Sequence, residues 1–194
     1  MLSIIKHIIR ITILLLFTIQ TFAQNELLVP TNFRQSYKNN VREKSGLPGK
    51  NYWQNRADYF IKVQFSPNTR ELSGHVETQY KNNSPDTLNK IVFKLFPNLY
   101  KTESVRTKSI SKDDLGDGIH IESILLNGQK VNSKLIFTSG TNMTVKGVKI
   151  LPNEKIAVQI KYSYILNQNS FIRTGQFDSG AFVVAYFFPK NNSL

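Results

Sequence analysis

The feature that most constrains this chain is a period of two that returns in segment after segment. Tyr59, Ile61, Val63 and Phe65 alternate with Asp58, Lys62 and Gln64. Phe60 breaks the polar side, so that face is expected to be partly covered. Leu72, Gly74, Val76, Thr78 and Tyr80 alternate with Ser73, His75, Glu77 and Gln79. Ile91, Phe93 and Leu95 point in where Lys90 and Lys94 point out. Ile156, Val158, Ile160, Tyr162 and Tyr164 repeat the pattern against Gln159, Lys161 and Ser163. Successive side chains of a strand face opposite ways, so this is the signature of half-buried strands. With no internal repeat and no long helical pattern, the fold class is all-β: an antiparallel sandwich or saddle-shaped domain.

The punctuation between these runs agrees. Ser66-Pro67-Asn68, Asn82-Asn83-Ser84-Pro85-Asp86 and Pro152-Asn153-Glu154 carry turn chemistry. Asn127-Gly128, between Ile119–Leu126 and Gln129–Leu135, predicts a hairpin, because both residues accept the positive φ of a type I′ turn. Gly147 shifts the alternation from Met143 and Val145 to Val148 and Ile150, which predicts a bulge. The charged stretch 101–118 reads as a surface loop. Ala181 to Phe188 is apolar on both faces and reads as a strand buried on both sides. It lies six residues from Leu194, so the domain, 58–194, is expected to be incomplete at its C-terminal end.

The N-terminal region is read differently. Lys6, His7 and Arg10 precede an apolar run from Ile11 to Ile19, and Thr21-Phe22-Ala23 offers small residues before Gln24. This predicts a signal peptide over 1–23. A membrane anchor is the rival reading, but a spanning helix needs about 20 apolar residues and this run is shorter. Residues 24–57 are polar and contain Asn39-Asn40 and Gly46-Leu47-Pro48-Gly49, which suggests an extended arm with turns, pinned to the domain by Tyr52 and Trp53. The expected location is exported, bacterial, in the periplasm or outside the cell. The chain has no cysteine, so packing rather than disulfides must hold it, and thiol catalysis and cysteine metal sites are excluded. The formal charge of +12 falls to +10 without Lys6 and Arg10. Export argues against a nucleic-acid partner, which leaves a solvated Lys-rich surface and weak attraction to anionic surfaces.

Residues that could carry chemistry form no recognised constellation. Zinc hydrolysis uses two His one helical turn apart and a Glu. His75 and His120 lie on different predicted strands, and His75-Val76-Glu77 is not such a motif. Asp113-Asp114-Leu115-Gly116-Asp117-Gly118 hints at a calcium loop, but Leu115 takes a ligand position and Ile124 the twelfth, so a solvated turn is expected. Ser123 and Ser139 lack a nucleophile's surroundings, and nothing selects a pair among Glu71, Glu77, Asp86 and Glu122 for glycosidase chemistry. Asn82-Asn83-Ser84, Asn142-Met143-Thr144 and Asn191-Asn192-Ser193 are glycosylation sequons by pattern and are taken as accidental. Tyr52, Trp53, Tyr59, Tyr100 and Tyr162 suggest a sugar-stacking platform, against which stands their more ordinary use as core. No catalytic, cofactor-binding or metal-ligating residue is assigned.

Several segments in order carry a resemblance. They are Gly46-x-Pro48-Gly49-x-x-Tyr52-Trp53-Gln54-Asn55-Arg56-Ala57-Asp58-Tyr59, then Leu72-Ser73-Gly74, then Tyr80 through Leu88. Phe93-x-Leu95-Phe96-Pro97-Asn98, Ile124 through Gly128 with Val131, Arg173-Thr174-Gly175 and Phe187-Phe188-Pro189 follow. The set resembles the N-terminal domain of exported bacterial members of the aminopeptidase N-like family of zinc metallopeptidases. The resemblance implies a saddle-shaped β domain that packs on a thermolysin-like catalytic domain. In that family the catalytic domain holds zinc through H-E-x-x-H and a downstream Glu, and carries a separate Gly-rich exopeptidase motif. Neither motif is in this sequence, so zinc is expected only in a missing catalytic domain. The family's substrate-contacting Gln or Glu and Arg before the last Pro have no counterpart in Gly180 to Phe188. The expected function is a non-catalytic N-terminal fragment of an exported zinc aminopeptidase-like protein, partnered by the parent's catalytic domain. The alternative is a stand-alone exported β-sandwich binding a glycan or an envelope protein.

Overall fold

The computed structural model describes residues 29–169 and 173–192. The chain divides into two units, Met1–Tyr52 and Trp53–Leu194. The predicted signal peptide lies outside the described residues. Among the described residues no helix is long and apolar enough to cross a membrane.

In the first unit, the stretch expected to run extended contains a helix, α1 (Thr31–Lys38). Its end explains why Asn39-Asn40 looked like a turn. Asn40 takes the left-handed conformation at φ 54. Its N–H donates to Tyr37 O at 3.0 Å, and Val41 N–H donates to Ser36 O at 2.9 Å. Those two bonds make a Schellman stop, in which Asn stands in for the more usual Gly. α1 is eight residues long and buries none of them fully, so its helical period shows in the sequence only as Phe33 and Tyr37. The turn expected at Gly46 to Gly49 falls earlier, where Gly46 N–H donates to Glu43 O at 3.0 Å, and Arg42 and Pro48 pair antiparallel on either side of it.

The second unit is the β domain. Its larger sheet is antiparallel, in the order β1 (Arg56–Ser66), β2 (Glu71–Lys81), β8 (Lys155–Ile165), β4 (His120–Leu126), β5 (Gln129–Lys130). The second sheet runs β11 (Lys190–Asn191), β3 (Leu88–Lys94), β7 (Asn142–Ile150), β6 (Ile136–Ser139). β9 (Thr174–Asp178) and β10 (Ala181–Val184) form a separate ribbon. One apolar cluster draws on both sheets, with Val76, Tyr162 and Ile160 from the first and Phe93, Met143 and Val145 from the second. The arrangement is a β-sandwich, and burial of each such side chain contributes about 1.5–3 kcal/mol.

Alternation predicted β2 and β8 correctly: Leu72, Val76, Thr78 and Tyr80 are buried, as are Ile156, Val158, Ile160, Tyr162 and Tyr164. β1 departs from its expectation. Phe60, whose face was expected to be partly covered, is 58% exposed, and Val63, expected inside, is 49% exposed. Among the described residues β1 is an edge strand with only β2 paired to it. The Asn127-Gly128 turn forms with φ of 48° and 80°, but its second arm is only Gln129–Lys130. Asn132 Oδ1 accepts from Lys134 N–H at 3.0 Å and starts a 3-10 turn, Ser133–Leu135, that ends the ladder. The Gly147 bulge is present: Leu88 pairs with Ile150 while Lys90 pairs with Lys146, and Gly147 has φ 73.

The run Ala181 to Phe188 is not one strand buried on both sides. β10 ends at Val184, the backbone breaks at Tyr186 with φ 58, and β11 then joins the second sheet beside β3. The break resets the alternation, so Phe182, Val184, Phe187 and Phe188 all pack against the core while Val183 and Tyr186 stay more than a third exposed. Phe188 meets Tyr59 edge-on at 5.4 Å.

Candidate binding groove

One end of the β domain holds a groove of about 740 Å³. Its floor is Tyr164 at the C-terminal end of β8 and Leu166 just beyond it, flanked by Glu71 at the start of β2 and His120 at the start of β4. Its walls are the 3-10 turn Phe96–Tyr100, the loop from Asp113 to Gly118, and Ala185-Tyr186. The expected surface loop 101–118 therefore builds one side of a cavity.

Local bonding sets each wall. Asn98 is buried; its Oδ1 accepts from Ile119 N–H at 3.0 Å and its Nδ2 donates to Gly140 O at 3.1 Å. That side chain ties the 3-10 turn to the start of β4 and to the β6–β7 turn. Arg106 Nη1 donates to Leu99 O at 2.8 Å and Lys101 O at 2.6 Å. Asp114, expected in a solvated turn, is buried instead. Its Oδ1 accepts from Asn169 N–H at 2.7 Å and its Oδ2 from Asn169 Nδ2 at 3.3 Å. Burial becomes tolerable because both oxygens are hydrogen-bonded. Tyr186 is clamped: Phe96 lies 4.6 Å from its ring, and the Arg173 guanidinium sits over it and donates to its hydroxyl.

The groove is lined by neutral phenols. Burial pushes the Tyr164 hydroxyl above its ordinary range, and the neighbouring Tyr162 and Tyr100 push the same way. Burial, then Asp114, does the same to Tyr100. The Tyr164 hydroxyl is buried with no hydrogen-bond partner among the described residues. Glu71, Asp113, Asp114 and Asp117 line the groove beside Arg70 and His120. In a chain of net charge +12, this is a local concentration of acid, and it disfavours an anionic occupant.

The sequence candidates are not brought together as a catalytic site. His75 Nε2 lies 3.3 Å from Glu77 Oε1 along the same strand. His120 is directly opposite Ser163 in the β4–β8 ladder, but no hydrogen bond joins their side chains. Ser123 is half-buried on β4 beside the register slip at Glu122, and Ser139 is exposed at the end of β6. Asp86 offers its backbone carbonyl to Asn82 and Ser84. Among the described residues no group of three or more His, Asp or Glu is placed to hold a metal ion. The aromatic platform does not form: Tyr59 packs on Phe188, and Tyr100 and Tyr162 are buried. Tyr52 belongs to the first unit. The sequon residue Asn82 is wholly buried and Asn191 nearly so, while Asn142 is exposed. Ser193 lies outside the described residues. The Asp114–Asn169 pair and the groove position of Tyr164 have no local signature, because their partners are far apart in sequence.

No protein-family model matches the chain, and no curated protein matches it. Among solved structures it is similar to a mutant M1 zinc metallopeptidase from Deinococcus radiodurans, bound to a Tyr-Ser-Ala substrate. The identity is 16% and the TM-score 0.41, over 64% of this chain and 23% of that one. A two-domain M1 zinc metallopeptidase mutant bound to L-tryptophan matches with 16% identity and a TM-score of 0.41, over 65% of this chain and 24% of its own. The chain spans about a quarter of the length of these structures.

Proposed function

We propose that this chain is the N-terminal β domain of an exported aminopeptidase N-like zinc metallopeptidase, and that it is a non-catalytic module. The observation that carries the reading is where the resembling segments fall. They take in the joints of the sandwich as well as core positions such as Leu72, Tyr80, Phe93, Leu95 and Ile124. Asn82 ties the β2 end to Asp86, Ile150 and Leu151. Asn98 ties three segments, Asn127-Gly128 makes the hairpin turn, and Arg173 clamps Tyr186. A catalytic domain of the same protein is the partner, and the β9–β10 ribbon, where Phe177 is 73% exposed, is the surface offered to it. Export follows from the Lys6 to Ala23 pattern. The basic surface adds only weak attraction to anionic surfaces.

The test is an activity assay on the full chain with added zinc and aminoacyl chromogenic substrates. No hydrolysis is expected, and turnover abolished by a chelator would contradict the proposal. The groove favours a second reading, a stand-alone exported module that binds a glycan or an envelope protein, because it is large enough for a small ligand.

A further inference from the structure

We propose that the outer edge of β1 is a homodimer interface at which a second copy of this chain adds its own β1, antiparallel, about a two-fold axis through Phe60. β1 is eleven residues long and pairs through all of them with β2. Its other edge carries no strand among the described residues. Among the described residues the other edge strands are shorter: two residues in β5, two in β11, four in β6, five in β9 and four in β10. A long open edge is a template for a further strand unless something covers or blocks it. Here the edge instead exposes apolar side chains on both faces, Phe60 on one and Val63 on the other.

The order of charges identifies the occupant. Arg56, Asp58, Phe60, Lys62 and Gln64 share the exposed face. Lys62 would ordinarily guard such an edge. Pairing β1 with itself about Phe60 sets Phe60 against Phe60 of the second copy and each Asp58 against the other copy's Lys62. Arg56 then faces Gln64. Opposite charges and aromatic pairs directly across an antiparallel ladder are attractive. Shifting the axis to Ile61 loses both charge pairs, and shifting it to Tyr59 sets Arg56 against Lys62. These three axes keep the outer face of one sheet continuous with that of the other, and only the axis at Phe60 is charge-matched. Within one chain Asp58 already accepts from Arg56 at 2.9 Å, but both side chains are more than half exposed, so the second contact costs little.

The absence of cysteine makes the register directly readable. Opposite residues across an antiparallel pair have Cα atoms about 4.5–5.5 Å apart, within reach of a disulfide. Phe60→Cys in the full chain is expected to give a covalent dimer under mild oxidation. Lys62→Cys is not, because its copies lie four residues apart along the strand direction, roughly 13 Å. Sedimentation of the unsubstituted chain is expected to show a concentration-dependent monomer–dimer equilibrium. Asp58→Lys should weaken it at least tenfold, and Asp58→Lys combined with Lys62→Asp should restore it. Circular dichroism checks that each variant folds. A chain that stays monomeric, equal cross-linking at both cysteine positions, or a double exchange that does not restore dimerisation would overturn the proposal.

Discussion

The ring of Tyr162 lies against Gly74, its partner in the β2–β8 ladder, so closely that a Cβ on Gly74 would stand 2.4 Å from Cζ and from the hydroxyl oxygen. The small residue and the large one occupy one space. Gly74→Ala is therefore expected to destabilise the domain by about 1–3 kcal/mol, the cost of overpacking a filled core. Chemical denaturation read by circular dichroism checks it. Tyr162→Phe should behave oppositely. The Tyr162 hydroxyl is buried without a partner among the described residues, so its removal should leave stability unchanged or raise it by about 1 kcal/mol.

Asn82 is fully buried. Its Nδ2 donates to the carbonyls of Asp86, Ile150 and Leu151 at 2.7, 3.1 and 3.2 Å, and its Oδ1 accepts from Ser84 N–H at 3.0 Å and Ser84 Oγ at 2.6 Å. Asn82→Asp replaces a donor facing three carbonyls with a carboxylate oxygen. The expected loss is about 3 kcal/mol or more at neutral pH. A change in the urea midpoint of less than that from a typical surface substitution would contradict this account of the joint. The same bonding predicts that the folded chain carries no glycan at Asn82, which intact-mass measurement after expression in a glycosylating host reads directly.

Stability should fall at alkaline pH. Tyr100, Tyr162 and Tyr164 are held above the ordinary phenol value of 10.0, chiefly by burial. Unfolded, these phenols ionise near pH 10 while the folded chain keeps their protons. Above that pH the unfolded state binds fewer protons, so stability declines as pH rises; below about pH 9 these groups contribute no slope. Denaturation midpoints at pH 8, 10 and 11 test the sign, and ultraviolet absorbance near 295 nm should show phenolate appearing together with unfolding.

The groove wall depends on Asp114 holding Asn169. Asp114→Ala should loosen the loop before β4 without unfolding the sandwich. Lys101, Arg106, Lys108 and Lys112 all lie in that loop, so trypsin should cut there several-fold faster, with little change in the thermal midpoint. Unchanged proteolysis would show that the pair does not order the wall.

What was legible in the sequence was whatever depends on near neighbours. Alternation identified the buried faces of β2 and β8, Asn127-Gly128 the hairpin turn and Gly147 the bulge. What was not legible depends on distant partners or on single backbone torsions. α1 is too short for the spacing of Phe33 and Tyr37 to stand out, and its stop rests on Asn40. The apolar run Ala181 to Phe188 looked two-sided because a positive φ at Tyr186 re-aims half of it, which no periodicity encodes. The groove joins Glu71, Asp114, Tyr164 and Tyr186 from four separate stretches, so only the folded chain assembles it. The missing zinc motif, by contrast, was plain in the sequence itself.

Whether this β domain belongs to a zinc aminopeptidase-like protein is decided by reading the coding DNA beyond the Leu194 codon in the source genome. An H-E-x-x-H with a downstream Glu is expected within a few hundred codons, in any frame. A downstream sequence without that motif would contradict that parentage and leave the stand-alone binding module as the better reading.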